Sequence, residues 1–164
     1  MFVPDAAVGI RRPAGRWGPP FYTIASVALP IIYAVYVGIA EAAHAIALRA
    51  VQKRRDDPAT QRAVGAMENE IAVARMALRE MIEAAACIPL DANTTNRVLI
   101  GRTVAGRASI ATVERAMEVA GGASFFRDFG LERLFRDIQA ARYHPVREPA
   151  QTTFTGRVAL GLNP

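Results

Sequence analysis

Apolar residues recur at three- and four-residue steps through most of this chain, the spacing of one face of an α-helix. The pattern is clearest over residues 58–86. There Val64, Met67, Ile71, Ala74, Leu78, Met81 and Ala85 alternate steps of three and four, as a seam packed along a neighbouring helix does. Asp57-Pro58 marks its start, an N-cap residue followed by proline at the first helical position, and Cys87-Ile88-Pro89 ends it. An earlier helix is expected from a start between Thr23 and Pro30 to about Arg55, with Ile32, Val35, Ile39, Ala43, Ile46 and Ala50 on one face. A third runs from about Asn93 to Ala120 with two stripes. One is Leu99, Thr103, Gly106, Ile110, Val113, Met117 and Ala120. The other is small: Ala105, Ser109, Thr112 and Ala116. Gly121-Gly122 breaks this helix. A shorter fourth begins near Gly130, with Leu131, Leu134, Ile138 and Ala141 inward, and stops at Pro145.

The elements therefore predict an all-α fold, an up-down four-helix bundle over residues 21–145. Residues 1–20, punctuated by Pro4, Gly9, Pro13, Gly15, Gly18, Pro19 and Pro20, read as an irregular remnant of a preceding strand or linker. Residues 146–164 read as an extended tail. A length of 164 residues suffices for one core. Cys87 is the lone cysteine, which excludes an intrachain disulfide and suits a reducing, cytoplasmic setting.

Net charge is +5, but the basic residues are scattered, with Lys53-Arg54-Arg55 the one tight run. That is read as a solvated surface rather than a nucleic-acid footprint. Phe21 to Ala40 carries no charge over twenty positions, long enough to cross a bilayer. Pro30 at its centre and the unbroken pattern through Glu41, His44 and Arg49 favour a buried helix over a membrane span.

Generic chemical motifs are absent. No phosphate-binding glycine loop ends in Lys-Ser/Thr, and two histidines with one cysteine cannot fill a tetrahedral metal site, so no metal is expected. The informative segment runs from Glu114 to Pro145. Gly121-Gly122 is followed by Phe125-Phe126 and then by Glu132-Arg133-Leu134-Phe135-Arg136-Asp137. This order and spacing resemble the C-terminal helical domain of the acyl-CoA dehydrogenase family. Val3-Pro4-Asp5 is similar to the end of the strand that precedes that domain, so the chain reads as a piece of a longer protein.

The resemblance implies an FAD-dependent oxidoreductase acting on the CH–CH bond of an acyl-CoA, assembled as a homodimer or tetramer and inactive as an isolated domain. It implies that Gly121 and Gly122 approach the FAD of a neighbouring subunit; the plainer role for the pair is a helix cap. Arg133, Arg136 and Asp137 are expected to form internal ion pairs that fix the last helix.

One departure changes the chemistry. The family's usual base is a Glu shortly after the Arg-Asp helix, where this chain has Tyr143-His144-Pro145. The alternative early position holds Val27, Ala28, Leu29 and Pro30, again without a carboxylate. A histidine there resembles the flavin-dependent monooxygenase branch, with His144 either donating to an oxygen-derived group or taking a proton from a phenol. His144 packing a helix end, and a non-catalytic helical assembly module, are the structural alternatives.

Overall fold

The computed structural model describes residues 2–9, 11 and 15–164; Met1 and Pro13 of the irregular leader lie outside these. Among the described residues the regular elements are helical. They are α1 (Pro19–Ala50), α2 (Pro58–Ala85), α3 (Ala92–Ala120), α4 (Leu131–Ile138) and α5 (Glu148–Ala159), with short 3₁₀ turns between them. The chain is all-α, as its periodicity predicts.

Local chemistry sets the helix starts. Asp57 caps α2 by accepting from the Thr60 N–H at 2.9 Å, with Pro58 in the first turn. Asp91 and Thr94 form a reciprocal capping box at the head of α3. Hydrogen bonds from those backbone N–H groups hold both carboxyls below the ordinary Asp range.

α3 is the central element, with buried residues on two sides, and both predicted stripes are used. Against α2 it comes very close, because Gly101 has no Cβ. A methyl there would lie 2.4 Å from Met81 Cγ and 3.1 Å from the Ala77 carbonyl oxygen. Across this seam Met67, Ile71, Ala74, Ala77 and Met81 are buried. Ala77 and Ala84 take the places expected of Leu78 and Ala85, which are half-buried.

Three expectations are corrected. First, α1 starts at Pro19, because a proline in the first turn gives up no helical hydrogen bond. It ends at Ala50 rather than near Arg55, and Gln52–Arg54 make a 3₁₀ turn. Second, its buried face is Leu29, Tyr33, Tyr36, Val37, Ala40, Ala43 and Ala47. The expected Val35 is 62% exposed, as are Ile31 (67%) and Ile24 (61%) to similar degrees. The expected Ala43 is buried and Ile32, Ile39 and Ile46 are half-buried at the edge of the core, while Val35 faces outward. Third, residues 146–164 are not an extended tail: Glu148–Ala159 is α5, with Pro149 in its first turn. Only Gln151 and Phe154 of α5 are buried, so the segment carries no periodic signal. α1 is also the one helix among the described residues long and apolar enough to cross a membrane by length and composition.

Candidate functional site

A buried polar cluster lies where α1, α3 and the exit of α4 meet. Arg102, on α3, is 3% exposed. Its Nη2 donates to the His144 carbonyl at 2.7 Å and reaches the Ala141 carbonyl at 3.5 Å. The guanidinium carbon sits 5.3 Å from the centroid of the Tyr33 ring, within cation–π range. The Tyr33 hydroxyl donates to the same Ala141 carbonyl at 3.0 Å. Burial pushes Tyr33 up to about 12, against the opposing pull of Arg102. Arg102 makes no ion pair among the described residues, so two backbone carbonyls, the Thr103 hydroxyl at 3.5 Å and an aromatic face are what compensate a buried cation. A second chain of bonds fastens α5. Thr103 donates to Gln151 Oε1 at 2.8 Å, Gln151 Nε2 to Thr155 Oγ1 at 2.7 Å, and Thr155 to Asn96 Oδ1 at 2.7 Å.

His144 sits on top of this cluster. Its Nδ1 is hydrogen-bonded to the Tyr36 hydroxyl, and the two rings meet edge-on with centroids 5.4 Å apart. Burial also raises the Tyr36 pKa, so the hydroxyl keeps its proton at neutral pH. Nε2 has no hydrogen-bond partner among the described residues. The next two residues, Pro145 and Val146, line an apolar hollow of about 380 Å³ with Trp17, Phe21, Ile24 and Ile32. No carboxylate contacts His144 among the described residues, so neither expected position supplies a carboxylate base here.

The second predicted site is at the other end of α3. Gly121 is the C-cap, at φ +69°, where an L-residue is strained. Nothing lies within 4 Å of where a Cβ would sit at Gly121 or Gly122, so the backbone of the turn is open to approach. Phe125 and Phe126 follow, 80% and 67% exposed, edge-on to each other. Arg54 donates to the Val119 carbonyl at 3.3 Å, which brings one cation, together with Asp57 and Glu118, close to this turn. Exposed glycine backbone with the Arg54 guanidinium nearby leaves room for an anionic group to approach. The nineteen-residue separation of Arg102 and Gly121 along α3 puts the two sites roughly 28 Å apart.

The third predicted set is not a network. Arg136 and Asp137, neighbours in sequence, pair at 3.0 Å on the surface. Arg133 is exposed and makes no ion pair among the described residues. The last helices are fixed instead by the Arg102 and Gln151 bonds. Sequence reasoning missed Tyr33, Tyr36 and Arg102. A signal existed: Arg102 lies three residues before Ala105 and four before Gly106, inside both stripes of α3, where a cation must be buried.

The fold defines an all-helical bundle domain, with one polar cluster at the exit of its fourth helix and an open glycine turn far from it. The chain belongs to the acyl-CoA dehydrogenase C-terminal domain family, whose model matches residues 30–149. It is 28% identical, over 97% of its length, to the amino sugar nitrososynthase DnmZ of Streptomyces peucetius, and covers 40% of that protein. It is 26% identical, over 73% of its length, to the putative acyl-CoA dehydrogenase YdbM of Bacillus subtilis strain 168, covering 34%. A solved structure of KijD3 with FMN and dTDP-3-amino-2,3,6-trideoxy-4-keto-3-methyl-D-glucose superposes with a TM-score of 0.79. The identity is 25%, covering 94% of this chain and 41% of that one. The chain thus spans between about a third and two fifths of the length of these relatives.

Proposed function

We propose that this chain is the helical domain of a flavin-dependent oxygenating enzyme, with His144 as the side chain that faces the chemistry. One observation carries the reading: where the family resemblance calls for a carboxylate base the chain has Pro145, and the residue before it is a histidine held by Tyr36 and backed by Arg102. The similarity to a nitrososynthase over nearly the whole chain, and to a protein solved with FMN, supports the same choice. A bound flavin would supply the redox chemistry. Gly121, Gly122 and Arg54 would hold its phosphate, a group present in FAD and FMN alike. The protein's own contribution at His144 is a hydrogen bond at the exit of α4, beside an apolar hollow.

The outward face of α1, with Ile24, Val27, Ile31 and Val35, needs cover from another surface. A second copy of the chain or the remainder of a longer flavoprotein would provide it, giving a dimer or tetramer in the cytoplasm. The second reading is oxidation of an acyl-CoA CH–CH bond, favoured by the similarity to YdbM.

The test is a chimera in which this chain replaces the matching region of DnmZ. Supplied with reduced flavin, oxygen and an amino sugar nucleotide, it should form oxygenated product, and His144→Ala should lower the rate by about 10²-fold. Anaerobic, acyl-CoA-dependent reduction of an artificial electron acceptor by the chimera would overturn the reading in favour of dehydrogenation. The chain alone is expected to purify without stoichiometric flavin absorbance.

A further inference from the structure

We infer that Tyr36 and Arg102 are positioning residues that lock His144 as the Nε2–H tautomer, so that it offers a hydrogen-bond donor, and not a base, to an oxygen-centred acceptor. The inference rests on the reading of His144 given above and deepens it.

The argument begins with the pair itself. Tyr36 and His144 come from distant parts of the chain, and their polar atoms meet at Nδ1. A phenol is a far stronger hydrogen-bond donor than a neutral imidazole N–H, and an unprotonated imidazole nitrogen is a better acceptor than a phenol oxygen. The hydroxyl therefore donates and Nδ1 accepts. In neutral imidazole one nitrogen carries the proton and the other does not, so acceptance at Nδ1 puts the proton on Nε2.

The ring cannot swing away to reverse this. Its edge-on contact with Tyr36 fixes the plane of the imidazole. Its own carbonyl is held from below by Arg102 at 2.7 Å, and Tyr33 and Arg102 both hold the Ala141 carbonyl three residues earlier. The fixing group at Nδ1 is a hydroxyl and not a carboxylate. The free Nε2–H is the one group left to act, and its complement is a lone pair on oxygen: an oxyanion, a hydroxyl or a bound oxygen species.

The experiment is long-range ¹⁵N NMR of the histidine rings in the whole chain above neutral pH, with His44→Asn to assign the two residues. His144 should show a protonated Nε2 and an unprotonated Nδ1 displaced by an accepted hydrogen bond. In Tyr36→Phe that displacement should be lost while the helical content stays unchanged. Arg102→Gln should broaden or split the same signal; should that variant not fold, Tyr36→Phe decides alone. A protonated Nδ1 in the parent chain, or an Nδ1 signal that Tyr36→Phe leaves unmoved, overturns the inference. The two proposals separate cleanly: a chimera indifferent to His144→Ala would end the functional reading while the tautomer result stood.

Discussion

The two sides of α3 are built on opposite principles. Towards α2 the seam is dry: Ile71, Ala74, Ala77 and Met81 close over Gly101, and among the described residues no buried side-chain hydrogen bond joins α2 to α3. Towards α1, α4 and α5 the helix buries a guanidinium, two tyrosines, a threonine and a glutamine. Apolar packing is tolerant of substitution as long as volume is kept. A buried polar cluster is not, since each group orphaned by a change costs its full desolvation. The dry side therefore stabilises the bundle, and the polar side defines the position of one residue, His144.

Perturbations of the two sides should differ in kind. Ile71→Ala, in the dry seam, should cost about 3 kcal/mol of unfolding free energy by cavity formation. It should leave the His144 ring signals where they are; chemical denaturation and NMR on the same variant check both halves. The polar side should show itself through alkali. Tyr33 has a folded pKa near 12 against an unfolded value near 10, so its contribution is intact below pH 10 and is lost as pH rises towards 12. The loss by pH 12 should be about 2 kcal/mol, and Tyr33→Phe should flatten that slope. Ile71→Ala should not.

Gly101→Ala sharpens the contrast within the seam. Ala gains about 1 kcal/mol of helix propensity, but the methyl meets Met81 Cγ and the Ala77 carbonyl. Overpacking should win, for a net loss of about 1–2 kcal/mol in a thermal or denaturant melt. Smallest is Asp91→Ala at the head of α3, about 1 kcal/mol or less. Because the folded Asp91 carboxyl titrates below its unfolded value, this difference should be present above pH 4 and vanish as pH falls through the folded value.

The dry side was legible in the sequence and the polar side was not. α2 and α3 are bounded by strong signals, Asp57-Pro58, Asp91 and Gly121-Gly122, and carry unbroken periodicity. Their ends fall within a residue or so of expectation. For α1, a nearly all-apolar stretch has no polar side to fix its rotation, so the expected stripe of Ile32, Ile39 and Ile46 lies at the edge of a buried face centred on Tyr33, Tyr36, Ala40 and Ala47. α5 is polar on most of its surface, so no apolar period announces it. Gly121, Gly122 and His144 were visible as departures in a motif. Tyr36 and Arg102 were not, because their partners lie some 40 to 110 positions away in the chain.

Arg102 also bears on how the bundle assembles. The α2–α3 hairpin can zip from contacts close in sequence, with no charge to shelter. α1 cannot settle on the other side of α3 in the same way, because covering Arg102 before the carbonyls of Ala141 and His144 arrive would strand a cation away from water. Closure of the hydrophobic interior is therefore expected to wait for the residues that carry His144, so that folding and the placement of that imidazole are completed together.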